Sequence, residues 1–198
     1  MRLAVAALAV ALLAAPAAAR LPPATRYHFT ITSVVAVDNA PSEISLKAKL
    51  LLAEILAGRS EFVATLEGAP DPKTDPAAFT KYVDAHHIQA YTVTLKIDRY
   101  HRDLVANDKP GKSGQVLTIG LDLSLVGTKL PGGLLALAGS GGATVAAEVG
   151  SRLRPREEEV TMDDALRAAL TQAVDGAVAE LRRPPPKAVA KPKPKPKP

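Results

Sequence analysis

Between Gln115 and Val126 the chain reads QVLTIGLDLSLV, with Leu117, Ile119, Leu121, Leu123 and Leu125 on alternate positions. Val116, Thr118, Gly120, Asp122 and Ser124 lie between them. Successive side chains of a strand point to opposite faces, so this pattern makes a ribbon with one apolar and one largely polar face. On a helix the same leucines would be scattered around the circumference and could not share one core. An extended apolar face has to be covered, and the other segments supply faces of matching kind.

Three further stretches have strand character. Tyr27 to Val37 alternates Tyr27, Phe29 and Ile31 against His28, Thr30 and Thr32, then becomes uniformly small and apolar, which predicts a strand that is buried more deeply along its length. Ile88 to Tyr100 alternates Tyr91, Val93, Leu95 and Ile97 against Thr92, Thr94, Lys96 and Asp98. The polar segment Ala106–Gly114 joins it to the leucine ribbon, so the two predict an antiparallel hairpin. Leu134 to Val149 opens on LLALA, which would suit a helix. Gly139, Gly141 and Gly142 oppose one, and Ala143, Val145, Ala147 and Val149 alternate with Thr144 and Glu148. That stretch predicts a second hairpin arm with a glycine bend or bulge, entered through a turn at Thr128–Gly133. Glu61 to Leu66 predicts a short strand anchored by Phe62 and Val63, and Gly68 to Asp75 a loop.

Three stretches have helical periodicity. After Ser42, a suitable N-cap, Ile44, Ala48, Leu51, Leu52 and Ile55 make one stripe, and Gly58 stands where a left-handed closing residue is expected. Pro76 to His87, capped by Asp75, places Phe79 and Val83 on one face. Ser151–Val160 is a charged connector. Thr161 and Asp164 then resemble a capping box for a long helix carrying Met162, Leu166, Ala169, Leu170, Ala173, Val174, Ala177, Val178 and Leu181. Arg182 and Arg183 suit its negative end, and Pro184 stops it. The sum is an α+β domain, residues 27–183, built as a mixed, mainly antiparallel sheet with helices packed on one face.

The ends are of another kind. Met1–Ala19 has a basic start at Arg2, an apolar run from Leu3 to Ala15, and small residues at Ala17 and Ala19. That is the layout of a cleaved secretory signal peptide, and the run is well short of the ~20 residues a membrane-spanning helix needs. Residues 20–26 form a leader. The last 15 residues, PPPKAVAKPKPKPKP, are expected to be an extended, disordered Lys/Pro tail. The product is then exported, periplasmic or secreted, without stable membrane insertion once the signal is removed.

Charge separates domain from tail. The chain carries a formal +5, but Arg20 to Arg183 holds 19 basic and 20 acidic residues. Lys187, Lys191, Lys193, Lys195 and Lys197 supply the excess. A nucleic-acid-binding domain would show its own basic patch with interleaved aromatics, so nucleic acid is not an expected partner. No cysteine occurs, which removes disulfides, thiolate metal sites and cysteine nucleophiles together.

Motifs that carry chemistry are incomplete. Gly111-Lys112-Ser113 has Ala106 where a phosphate-binding loop needs glycine, and a strand follows it in place of a helix. Gly139-Ser140-Gly141 lacks the first glycine of a nucleophile elbow, which would fall at Ala138. His86, His87 and His101, with Asp84, lack the i, i+4 spacing of a zinc helix. Glu157-Glu158-Glu159 beside Arg152, Arg154 and Arg156 predicts a solvated, self-paired run. No catalytic, cofactor or metal residues are assigned.

The Tyr27–Val37 strand, the Ser42–Arg59 helix, the Glu61-Phe62-Val63 step and the Tyr91–Ile97 strand resemble bacterial envelope proteins related to the curli-secretion lipoproteins and to the amino-terminal domain of the Tol-system periplasmic protein. The resemblance covers less than half of the chain after the signal. It implies a part in envelope assembly and protein–protein contacts, with no catalytic residues to carry over. The chain departs from the lipoprotein pattern in lacking an anchor cysteine, so lipid attachment and pore formation are not carried over. The expected function is a non-catalytic exported binding or adaptor protein, its tail lysines contacting an anionic envelope polymer or an envelope protein. An exported hydrolase or metal-dependent enzyme, with a site assembled only by folding, is the alternative.

Overall fold

The computed structural model describes residues 25–107 and 114–183. The signal segment, most of the leader, residues 108–113 and the Lys/Pro tail lie outside the described residues. The elements are β1 (Arg26–Ala36), α1 (Ile44–Ala57), α2 (Pro76–Ala85), β2 (Ile88–Ala106), β3 (Gln115–Lys129), β4 (Leu134–Val149) and α3 (Pro155–Leu181). The strands make one mixed sheet in the order β1-β2-β3-β4. β1 runs parallel to β2, and the other neighbours are antiparallel. The fold is α+β, with three helices packed against the sheet.

β3 sits in the middle of this arrangement. Leu117, Ile119, Leu121, Leu123 and Leu125 are all buried, under the stripes of α1 and α3. β2 serves the same face through two registers. Leu95 and Ile97 stand opposite Leu125 and Leu123, whereas Tyr100 and Leu104 stand opposite Leu121 and Leu117. The register shifts between Ile97 and Arg99, so Asp98 is the extra residue of a bulge that moves the core face from odd to even positions. For this reason the alternation in β2 fades after Ile97 although the strand runs on to Ala106. α2 buries Phe79 and Val83 against Ile88 and Ala90, which alternate with the core-facing positions of β2. Its cap is as expected, with the Asp75 carboxylate accepting from the Ala78 N–H at 2.9 Å.

β4 is a continuous strand through its glycines. Its pairing to β3 is unbroken from Leu137 to Val149, and the register shift lies at Gly127/Thr128, so no bend or bulge occurs at Gly139–Gly142. The glycines answer a packing demand instead. A Cβ on Gly141 would run into the carbonyl oxygen of Ala169, and one on Gly139 into that of Ala173. β4 and α3 therefore meet backbone to backbone, with Ala169, Ala173 and Ala177 fully buried at the contact.

Several helix ends differ from expectation. α3 starts at Pro155, six residues before Thr161, and its reciprocal cap is the Glu157 carboxylate accepting from the Arg154 N–H at 2.9 Å. Pro at the first helical position and Glu at the third are a better start signal than Thr161-Asp164. Thr161 lies within the helix, its hydroxyl donating to the Glu157 carbonyl at 2.7 Å. Ser42 does not cap α1, and its hydroxyl donates to Glu43 at 3.3 Å. Gly58 is helical at φ −75°, so it gives no left-handed close. α2 ends at Ala85 rather than His87. The short strand at Glu61–Leu66 reduces to a single bridge between Phe62 and Tyr27.

The contact of α3 with β4 makes a specific prediction. Gly141→Ala should cost about 1–3 kcal/mol through overpacking against rigid backbone. Gly142→Ala should cost less, because the one close contact of its Cβ would be the movable carboxylate of Asp122 at 2.7 Å, the nearest backbone atom, the Leu121 carbonyl oxygen, being at an ordinary 3.7 Å. Equal loss in thermal or denaturant melts of the two variants would contradict the packing.

Candidate functional site

The residues singled out from the sequence are not brought together. His86 and His87 close α2, and His86 stacks on Tyr82 with ring centroids 4.3 Å apart while its Nδ1 meets the Tyr82 carbonyl at 2.8 Å. His101 lies 13 residues beyond Ile88 on β2, roughly 40 Å along the strand at ~3.3 Å per residue. His28 is held by the Val63 carbonyl and Thr30, at 2.8 and 3.1 Å. Among the described residues no group of three or more His, Cys, Asp or Glu side chains could hold a metal ion.

Gly111-Lys112-Ser113 lies outside the described residues, and the residues on either side of the gap are joined by the Asn107 N–H donating to the Gly114 carbonyl at 3.0 Å. β3 follows directly, so the helix a phosphate loop requires is absent there. Gly139-Ser140-Gly141 belongs to the β4–α3 contact. The face of the sheet away from α1 and α3 offers an open depression of about 420 Å³ beside His101, Gly120 and Thr144, beyond the part that α2 covers. Within it the Arg99 guanidinium and the Asp122 carboxylate neutralise each other at 3.2 Å.

Of the three glutamates, Glu157 closes the run on itself through the Arg154 N–H, and the other two reach outside it. Glu159 and Asp163 on α3 hold Lys47 of α1 at 2.8 and 3.2 Å. Glu158 receives Arg102 of β2 through two hydrogen bonds, at 2.6 and 3.1 Å. Further along, Arg167 meets Glu54 at 3.1 Å and Asp175 meets Arg59 at 2.6 Å. One helical turn of acids thus reaches two different elements, a clustering that sequence separation concealed. The hydrogen bond from Arg102 holds the Glu158 carboxyl below the usual carboxylate range, against a smaller opposing effect of burial. Burial pushes the Tyr91 phenol up to about 12, with a lesser contribution from Tyr27.

One end of the molecule collects features that the sequence did not connect. β1 begins there, and so does β2, because Tyr91 stands opposite Lys129 at the close of β3. The β3–β4 turn is there too, with Gly132 and Gly133 at φ +120° and +65°, values that favour glycine. Leu134 and Leu135 just beyond it are 77% and 69% exposed. Lys187, Lys191, Lys193, Lys195 and Lys197 lie outside the described residues, but the helix that precedes them ends at this same end. No helix among the described residues is long and apolar enough to cross a membrane.

No family model and no curated protein matches the chain. Solved structures do. A Caulobacter crescentus protein assigned as a lipoprotein is 14% identical, over 76% of this chain and 92% of that one, with a TM-score of 0.35. A minor lipoprotein from Acinetobacter baumannii is 10% identical over 80% and 94%, at a TM-score of 0.37. A Helicobacter pylori protein assigned as a neuraminyllactose-binding hemagglutinin homologue is 10% identical over 81% and 85%, at 0.42. None of the three is described as a curli-secretion or Tol protein, and at these values the likeness assigns no family.

The Arg102–Glu158 pair has a pH signature. Because the folded carboxyl lies below its ordinary value of 4.5, its contribution is complete above that pH and is lost as pH falls through the lowered value. Both side chains are roughly a third exposed, so the pair is worth only about 0.2–1 kcal/mol. Glu158→Gln should be less stable than wild type by that amount at pH 7, and the gap should narrow as pH falls below 4.5 and through the lowered value. A gap that persists unchanged at pH 2.5 in denaturant melts would contradict this.

Proposed function

We propose that this chain is an exported, non-catalytic binding module of a bacterial cell envelope, periplasmic or secreted, in which a folded domain carries a cationic tail for anionic envelope polymers. The observation that supports this reading is the division of charge. The domain is balanced, and Lys47, Arg59, Arg102 and Arg167 are each engaged by a carboxylate of another element. The tail has five lysines and no acid in 15 residues. The separation of His86, His87 and His101 supports a binding rather than a catalytic reading. Each tail contact is an exposed ion pair of little individual worth, so affinity comes from multiplicity.

Deleting Ala188–Pro198, or replacing the five tail lysines with glutamine, should abolish retention on anionic cell-wall polymer while leaving the melting temperature unchanged. Retention by the unaltered chain should fade as the Debye length shortens from ~10 Å at 0.1 M salt towards ~3 Å at 1 M. Retention that survives the glutamine changes, or that ignores salt, would place the binding surface on the folded domain.

A further inference from the structure

β1 is an edge strand whose outer side is paired only at its start. The Tyr27 N–H donates to the Glu61 carbonyl and the Val63 N–H to the Tyr27 carbonyl, each at 2.8 Å, in a parallel bridge centred on Phe62. The next rung of a parallel ladder would carry the Phe29 N–H to the Val63 carbonyl. That carbonyl meets the His28 ring instead, 2.8 Å from Nδ1, and the chain bends away at Ala64. Backbone groups alternate sides along a strand, so those of Phe29 and Ile31 point the same way as those of Tyr27, away from β2. Among the described residues no backbone partner meets them on that side. An apolar cavity of about 110 Å³ opens beside them, lined by Phe29, Ile31 and Phe62 and by Ala53, Leu56 and Ala57 of α1. In α1, Leu46, Leu50, Ala53 and Ala57 recur at helical spacing and share one face. Leu46 and Leu50 are 62% and 63% exposed, so the apolar lane continues from the cavity back along α1.

We infer that the β1 edge from Phe29 onward is a docking site for an extended segment of another polypeptide, which adds a strand to the sheet and lays apolar side chains in this cavity and against Leu50. Two observations select that occupant. The site continues a pairing the chain has already begun at Tyr27, and only an extended backbone offers donors and acceptors at the spacing that Phe29 and Ile31 require. The side chains of an added strand alternate, one set towards α1 and the other beside the exposed Thr30 and Ser33, so the segment alternates apolar and polar residues. The bulge at Thr32 interrupts the edge beyond Ile31, which keeps the ladder short and leaves side-chain fit to decide which segment binds. A second copy of this chain has no such side chains to offer. Phe29, Ile31 and Val34 of its β1 lie in its own core, and the glycines of its β4 rest on its own α3. The inference does not depend on the tail.

The test uses the exported chain from Arg20 and short fluorescein-labelled peptides that alternate threonine with valine, leucine or phenylalanine. A threonine–serine peptide is the control without apolar side chains, and copies N-methylated at alternate amides, in either phase, are the controls without backbone donors. An apolar peptide should bind in anisotropy titrations, the threonine–serine control should not, and one N-methylation phase should abolish binding. Binding should slow amide hydrogen exchange at Phe29 and Ile31. Ala53→Leu, which fills the cavity, should weaken binding about tenfold or more, and Leu50→Ser should weaken it by less. Both positions are exposed, so both variants should melt with the parent. Absence of binding by every apolar peptide, indifference to both N-methylation phases, binding that leaves Phe29 and Ile31 unprotected, or binding unchanged in both variants would overturn the inference. So would a parent chain that dimerises without peptide and becomes monomeric as Ala53→Leu, which would give the edge to a second copy. Glutamine at the tail lysines should leave peptide binding unchanged, so the tail reading and this one stand or fall separately.

Discussion

Backbone rests on backbone where α3 crosses Gly139 and Gly141 of β4, and the arrangement of the leucine face depends on that contact. A side chain at either glycine would lift the helix off the sheet. With none, the alanines of α3 reach the strand directly, and the larger residues on either side, Leu166, Leu170 and Val174, fill the space over β3 and beneath α1. Close approach of this kind gives many dispersion contacts for little side-chain entropy, because alanine and glycine have no rotamers to lose. The edge of β4 is also partly satisfied by α3, since the Gly142 N–H donates to the Gln172 side chain at 2.9 Å. That bond covers part of a strand edge that would otherwise invite pairing with another chain.

The ion pairs between α3 and its neighbours act on top of this packing. Lys47, Glu54 and Arg59 follow α1 from its first turn to just past its end, and each meets a partner on α3. These are surface pairs of small individual energy, and their consequence is orientation: they favour one alignment of the two helices over the sheet. Lys47, Arg59 and Arg167 are engaged in this way, and the net positive charge of the chain lies in the tail.

The parts of this fold that were legible in the sequence are those in which one residue's neighbours along the chain decide the outcome. The period-two leucines of β3, the hairpin from β2, and the stripes of α1 and α3 are of that kind. What was illegible depends on residues far apart. Glu158 and Glu159 looked like a solvated run because their partners Arg102 and Lys47 are 56 and 112 positions away. The glycines of β4 predicted a bend, because a strand cannot announce that a helix backbone will press on it. The bulge at Asp98 hid the second half of β2 by reversing its parity. The exposure of Leu134 and Leu135 beside the β3–β4 turn likewise had no signal in the chain. The tail lysines were legible as charge, and the fold adds the place from which they depart.

The central claim is therefore one of direction: α3 returns antiparallel to β4 and ends beside the β3–β4 turn. The chain has no cysteine, so pairs of spin labels can be placed without background. Labels at Leu134→Cys and Arg183→Cys should lie within about 20 Å, whereas labels at Leu134→Cys and Arg156→Cys should be separated by about 40 Å, the length of the intervening helix. Two similar distances, or the reverse order, would contradict the account.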